Sequence, residues 1–307
     1  MPSVRTLACP ASLKGVLSAR DAAAALGDGL RAWSEVDKLP VADGGEGTLD
    51  ALHATRGGEW QTLDVHDAFG RPRAARVLWR GVAVAVEAAE VVPLDPSRLD
   101  PLAASSRGLG ELILALDAPG ELLVCLGGTA NVDGGAGMLE LLRELPAPTV
   151  VACDVDVPLH DAVRVFAAQK GATAKDLTAL ERRLEPLAAY AALPGGGAAG
   201  GLGAAFASLG AELRPGAALV LDRLGFDPAG YDLVVTGEGT VDSTTTRGKA
   251  PGEVARRCAG AGVRCVVFGG RVAAAVPGAE TVALSGDPAR AHDDLRELGW
   301  TLGAMMF

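Results

Sequence analysis

Residues Leu233 to Pro251 limit the possible folds of this chain more than any other stretch. They read LVVTGEGTVDSTTTRGKAP. Leu233, Val234 and Val235 form an apolar run of strand type. A loop follows that carries Gly237, Glu238, Gly239, Asp242, Arg247, Gly248 and Lys249, and helix-compatible sequence resumes after Pro251. A strand that empties into a glycine-bearing loop and then a helix is a building unit of α/β proteins. The chemistry of the loop is equally pointed. Glycines let backbone N–H groups approach an anion, carboxylates hold Mg²⁺, and Lys or Arg neutralises the remaining charge. The same residue types build ordinary solvated turns, so this stretch alone leaves both readings open.

An internal echo tips the balance. VADGGEGTLDAL, from Val41, and NVDGGAGMLELL, from Asn131, share D-G-G-x-G between an apolar strand and an amphipathic helix. Each places a carboxylate and flexible backbone at a helix N-terminus, where partial positive charge attracts anions. Helix capping by Asp accounts for one copy on its own. Two copies together with the Gly237 loop point to a shared ligand site at the carboxyl ends of strands, the usual location in α/β sheets.

The rest of the chain alternates strand and helix signals. Val4 to Cys9 reads as a buried strand, and Ser18 as the cap of a helix reaching about Trp33, with Asp21 completing a weak capping box. A strand near Val36 to Val41 precedes a helix from Thr48. Residues 60–87 break the alternation: Gln61 to Val65, Arg73 to Trp79 and Val82 to Glu87 read as strands joined by turns at Gly70 and Gly81. A helix capped by Ser105 or Ser106, a strand from Glu121 to Leu126, a strand from Thr149 to Ala152 and a helix from Lys175 to Ala192 follow. The strand Arg264 to Phe268, a strand at Thr281 to Leu284 and a terminal helix close the chain.

Composition narrows the function classes. With 307 residues, 49% of them hydrophobic and only 4% aromatic, the chain has an aliphatic core large enough for two α/β domains or one large one. A net charge of −10 argues against nucleic acid or an anionic membrane as partner. Five cysteines, Cys9, Cys125, Cys153, Cys258 and Cys265, form no CxxC pair and sit in apolar runs, which suits a reducing cytoplasm. The N-terminus has no signal-peptide pattern and no apolar stretch is long enough to span a bilayer, so a cytoplasmic location is expected.

Several catalytic signatures are missing. Gly248-Lys249 is followed by Ala250, and Ser243 stands where a Walker A loop needs its first glycine. The glycine run from Gly195 to Gly203 follows no clear strand, and there is no G-x-S-x-G elbow. His53, His66, His160 and His292 are scattered without zinc-ligand spacing. What remains is acidic, glycine-bearing loops with Lys14, Arg107, Lys170, Arg247 and Lys249, a set suited to phosphoryl transfer by positioning and electrostatics.

Taken in order, these pieces resemble the bacterial glycerate kinase family. They are PASLKG (Pro10 to Gly15), PVADGGEGT (Pro40 to Thr48), DPLAASSRGLGEL (Asp100 to Leu112), GGTANVDGGAGML (Gly127 to Leu139) and ACDVDVPL (Ala152 to Leu159). QKGA (Gln169 to Ala172), PGGGAAGGLGAA (Pro194 to Ala205) and TGEGTVDSTTTRGKAP complete the set. The resemblance implies two α/β domains. One is flavodoxin-like and discontinuous, residues 1–58 with 226–307; the other, residues 59–225, is an inserted mixed α/β domain of restriction-enzyme-like topology. It implies transfer of the ATP γ-phosphoryl group to a hydroxyl of glycerate or a related short hydroxy acid, with Mg²⁺. The implied partners are ATP and the small acid, with a homodimer allowed and neither nucleic acid nor membrane.

Carried over by position, the resemblance puts Lys14, Asp43, Arg107, Thr129, Asp133, Asp154, Lys170, Glu238, Asp242 and Lys249 along an interdomain cleft. Asp242, Asp133 and Lys249 are the catalytic candidates, and Glu238 with Asp242 the metal candidates. Lys14, Asp43, Gly44, Gly45, Arg107, Gly128, Thr129, Asp154, Lys170, Gly237 and Gly239 are expected to bind substrate or phosphate. Three positions depart from the family pattern by losing a polar group: Ala11 for Asp, Val132 for Asn and Val157 for Asn. The segments between Met138 and Val150 and before Gln169 are also short. A charge-assisted contact is worth about 1.5–3 kcal/mol. The departures therefore support an alternative reading, a weakened or non-catalytic ligand-binding paralogue.

Overall fold

The computed structural model describes residues 4–306. Eleven strands lie among them: β1 (Arg5–Ala8), β2 (Glu35–Lys38), β3 (Glu59–His66), β4 (Pro72–Arg80), β5 (Ala83–Glu87), β6 (Glu121–Leu126), β7 (Thr149–Cys153), β8 (Glu212–Pro215), β9 (Leu233–Val241), β10 (Arg264–Val272) and β11 (Glu280–Ala283). They form two sheets in two compact units. One unit takes the chain up to Asp43, then Asp50–Arg56, then Val220 onward; the other takes Gly44–Leu49 and Gly57–Leu219.

The first unit holds a five-stranded parallel sheet in the order β11-β10-β9-β1-β2. Renumbered within the unit, this is 2-1-3-4-5, the flavodoxin-like order, and its winding reverses between β1 and β9. Thr6, Leu7 and Ala8 of β1 are buried and face Leu233, Val234 and Val235 of β9. A central parallel strand covered on both faces needs such an unbroken apolar run. Helices Ala19–Leu30 and Ala291–Ala304 pack closely at glycines: a Cβ on Gly29 would lie 2.1 Å from the Arg296 carbonyl oxygen. Leu26, Leu30, Val266, Phe268 and Leu295 fill the core of this unit. The expected cap is present. The Asp21 N–H donates to Ser18 Oγ at 3.1 Å, and Ser18 Oγ–H donates to Asp21 Oδ2 at 2.7 Å.

The second unit holds a six-stranded sheet in sequence order, β3 to β8. β3, β4 and β5 are antiparallel, whereas β5 to β8 run parallel. The meander of residues 60–87 is therefore a three-stranded edge joined to a parallel α/β half. Its core is largely aliphatic, built from Val86, Leu109, Leu112, Leu122, Val124, Val132 and Leu180 together with Phe206.

Two elements differ from expectation. The helix expected over Lys175 to Ala192 is a helix from Leu177 to Leu184, continued by 3₁₀ turns from Glu185 to Tyr190. Pro186 lacks the N–H that an α-helix needs there and suits the start of a new turn. The strand expected to end at Val235 runs on to Val241, because β10 continues beside it to the pair Val241↔Val272. Gly237, Glu238 and Gly239 are thus strand residues rather than loop residues. Among the described residues no helix is long and apolar enough to cross a membrane.

Candidate functional site

In the first unit, the candidate residues gather at the carboxyl ends of β1 and β9, beside the reversal of winding where open α/β sheets hold ligands. The Ala11 N–H donates to the Gly237 carbonyl at 2.9 Å, which lays the segment after β1 along the extension of β9. A Cβ built on Gly239 would stand 3.8 Å from both Leu13 Cα and Lys14 N, so the Lys14 turn packs on that glycine. Gly237 is buried in the ladder, where a Cβ would meet the Phe268 carbonyl oxygen at 2.3 Å. Its glycine is required by packing.

Glu238 is the centre of this cluster. Lys249 Nζ donates to its Oε2 at 3.0 Å and Thr245 Oγ1 to its Oε1 at 2.7 Å. Burial pushes its carboxyl above the usual range, helped by the charge of Asp43, and the bonds from Thr245 and Lys249 oppose that rise. Asp242 closes the turn that follows. Its Oδ1 accepts from Thr244 N at 2.7 Å and from Thr244 Oγ1 at 2.5 Å, and these bonds hold its carboxyl below the usual range. Lys249 sits at the N-cap of the helix Ala250–Ala261, with Pro251 in the first turn.

In the second unit, Gly44 and Gly45 approach the carboxyl ends of β6 and β7. A Cβ on Gly44 would stand 2.9 Å from Ala152 Cβ, and one on Gly127 would stand 2.8 Å from Gly45 Cα and 2.7 Å from Asp154 Oδ2. After β6 the chain runs antiparallel to residues 92–94. Leu94 N donates to the Gly128 carbonyl at 2.7 Å and Ala130 N to the Val92 carbonyl at 2.9 Å, which turns the Thr129 N–H to the opposite side. Lys170, only 3% exposed, donates to the Asn131 carbonyl at 2.8 Å and to Thr129 Oγ1 at 3.4 Å. Burial pushes its ammonium down to about 8, against the pull of Asp154 and Asp133.

Asp133 is engaged on every side. Its Oδ2 accepts from Ser106 N at 2.8 Å, Ser106 Oγ at 2.7 Å and Gly137 N at 3.2 Å. Its Oδ1 accepts from Asn131 Nδ2 at 3.0 Å and Gly135 N at 3.1 Å. A carboxylate offers about four lone-pair sites, so five donors saturate it. The first copy of D-G-G-x-G is filled in a related way: Glu87 Oε1 accepts from Leu49 N at 2.6 Å and Oε2 from Gly47 N at 3.3 Å. Both helix N-termini that the repeat offers to anions already hold carboxylates of the protein itself.

The glycine run explains this loop further. Ala199, Gly200 and Gly201 all have left-handed φ, at 51°, 69° and 97°. A Cβ on Gly200 would fall 2.2 Å from the Asn131 carbonyl oxygen, and Asn131 Nδ2 donates to the Ala199 carbonyl at 3.1 Å. The run is a platform for the Asn131–Asp133 loop. Arg107 lies apart from Lys170 in its bonding: it is half exposed and donates to Glu140 Oε2 at 2.7 Å.

The expected residues thus fall into two sets. Lys14, Asp43, Gly237, Glu238, Gly239, Asp242 and Lys249 belong to the first unit; Gly44, Gly45, Arg107, Gly128, Thr129, Asp133, Asp154 and Lys170 belong to the second. Sequence reading missed Thr245, buried in a run of three threonines, and Glu87, which meets its partners across 38 and 40 residues. Ser106 was legible only as a helix cap.

Fold and side chains together define an α/β protein whose charged residues and close-packed glycines sit at the carboxyl ends of parallel strands. Comparison with known proteins narrows that class. The profile described as the glycerate kinase family matches residues 6–144 and 144–286. This chain belongs to the glycerate kinase family. It is 35% identical to a glycerate kinase of Bacillus subtilis (strain 168), with 82% of this chain and 81% of the relative covered. It is 34% identical to the glycerate 2-kinase of Escherichia coli (strain K12), with 81% and 80% covered. A solved structure from Salmonella typhimurium LT2 that bears the name glycerate kinase 2 superposes with a TM-score of 0.82 at 31% identity, covering 99% of this chain and 98% of that one.

Proposed function

We propose that this protein is a kinase that transfers the ATP γ-phosphoryl group to a hydroxyl of glycerate or a closely related short hydroxy acid. The observation that carries this reading is the Glu238, Asp242 and Lys249 cluster, which stands at the reversal of winding in a chain of this family. Two carboxylates and a cation brought together between the end of β9 and the next helix are a natural set for a metal-bound nucleotide phosphate.

Mg²⁺ suits these donors. Glu238 and Asp242 would hold it, and among the described residues no three His, Cys, Asp or Glu side chains converge. Mg²⁺ usually takes one or two carboxylates and completes its shell with water and substrate phosphates. When bound it would neutralise charge on the phosphates. Lys249 would neutralise what remains, and its place at a helix N-terminus puts that cation where anions are already favoured.

Asp242 is our candidate to orient or deprotonate the substrate hydroxyl, since its turn occupies Oδ1 through Thr244 and its carboxyl is held below the usual range. Asp133 we assign to holding its loop, because its oxygens are saturated. In the second unit, Gly128 and Thr129, with Lys170 bonded to Thr129, are our candidates for the carboxylate of the acid; in the first, Lys14 and Asp43 are our candidates for the nucleotide. The departures at Ala11, Val132 and Val157 bear less on activity than their chemistry suggests. Val132 is fully buried in the core. Ala11 and Val157 act through backbone, Ala11 N on Gly237 and the Val157 carbonyl on Gly197 N. This weakens the case for a non-catalytic paralogue.

A coupled ADP-release assay across short hydroxy acids, with and without Mg²⁺, tests the reading. Metal-dependent turnover on glycerate or a near relative is expected. No ADP release with any such acid, while the acid still binds, would replace the kinase with the paralogue.

A further inference from the structure

We propose that Thr245 is a positioning residue whose hydroxyl sets the Glu238 carboxylate and the Asp242 backbone in one fixed arrangement; this rests on the kinase reading above. The geometry fixes the direction of both bonds. Thr245 Oγ1 accepts from Asp242 N at 3.0 Å, so its own hydrogen is free to point at Glu238 Oε1, 2.7 Å away. One hydroxyl therefore links Glu238, in the strand, to Asp242, in the turn after it. Lys249 holds the other oxygen of Glu238, so the carboxylate is pinned at both ends.

Thr245 is itself anchored. It is fully buried, and its N–H donates to the Asp242 carbonyl at 3.0 Å. Its carbonyl packs so tightly on the helix Ala250–Ala261 that a Cβ on Gly252 would stand 2.1 Å from it. The neighbouring Thr244 and Thr246 are exposed and bond only within the turn. Of the three threonines, Thr245 is the one whose hydroxyl reaches Glu238. A side chain held this firmly can keep a metal-binding or phosphate-facing carboxylate in its productive rotamer. A shift of even 1 Å in such a group costs heavily in rate.

Thr245→Val keeps the shape and removes the hydroxyl; Thr245→Ser keeps the hydroxyl. The expected result is a fall in kcat of roughly tenfold in the Val variant, the equivalent of one charge-assisted hydrogen bond. KM for the hydroxy acid should stay within about twofold, and Thr245→Ser should restore kcat. A readout independent of turnover is the ¹³C resonance of the Glu238 carboxyl at one fixed pH, assigned with Glu238→Gln. It should move in the Val variant and return in the Ser variant. If Thr245→Val does not fold, Thr245→Ala and Thr245→Ser carry the comparison. An unmoved Glu238 resonance, or kcat equal to the parent's, overturns the proposal. If the parent releases no ADP while the resonance still moves, the kinase reading falls and the Thr245–Glu238 link stands.

Discussion

Lys249 Nζ lies 3.0 Å from Glu238 Oε2, and the two side chains are 31% and 12% exposed. The pair is half sheltered, which places it between the surface ion pairs that contribute little and the buried ones whose breakage is severe. Burial raises the Glu238 carboxyl and Lys249 opposes that rise. The cation is therefore part of what keeps Glu238 charged.

Lys249→Ala should have two separable effects. ATP binding should weaken, as read by isothermal titration with the Mg²⁺ complex. Stability should also fall at neutral pH, where Glu238 is ionised without its partner, and fall less near pH 4, where protonation removes the unpaired charge. Denaturant midpoints at the two pH values check the second effect.

Asp242→Asn should remove most turnover and leave the fold intact. The side chain is partly exposed and its bonds stay within the turn. A loss of about 10²–10³ in kcat is expected from removing a charged group that acts on the reacting atoms. The Tm should change by no more than about 2 °C.

Lys170 predicts a stability profile with a defined sign. Its folded value of about 8 lies below the ordinary lysine value of 10.5. Below pH 8 the amine is charged in both states, and folding bears the full cost of burying it. Between about pH 8 and 10.5 the folded state sheds the proton while the unfolded chain keeps it, so the contribution of this group to stability improves as pH rises. The stability of Lys170→Met relative to the parent should therefore fall by about 3 kcal/mol between pH 7 and pH 10.5. Urea melts of both proteins across this range test the trend.

Val132→Asn restores the residue type usual in the family and should still do harm. The position is fully buried among Leu, Ala and Val side chains of the second unit. An amide there without partners costs about 1–3 kcal/mol. Lower denaturant midpoints with no gain in kcat are expected; a gain in kcat would return this position to the site.

What the sequence disclosed follows the range of each interaction. The Ser18 and Asp21 capping box lies within one helical turn and was legible, as was the meander of residues 60–87, with its strand patterns and glycine turns. The family motifs marked the stretch that holds Glu238, Asp242 and Lys249. The continuation of β9 through Glu238 was not legible, since the residues that pair with it lie in β10. Nor was the saturation of Asp133, which depends on Ser106, 27 residues away, or the platform that Asn131 reaches across 68 residues. Thr245 gave no local signal among its neighbours.

The discontinuity of the first unit has a consequence for the chain as it leaves the ribosome. β1 is made long before the strand that completes its sheet: Thr236 Oγ1 donates to the Cys9 carbonyl across 227 residues. At typical synthesis speeds of about 5–20 residues per second, that is a wait of roughly ten to forty-five seconds. The second unit, apart from Gly44–Leu49, is one continuous run and is fully made before β9 appears. Its strands pair in sequence order and can close as they arrive. The nascent chain should therefore hold a finished inserted unit while β1, with only β2 beside it, still lacks β9 on its other edge. That interval is when chaperones would have most to protect.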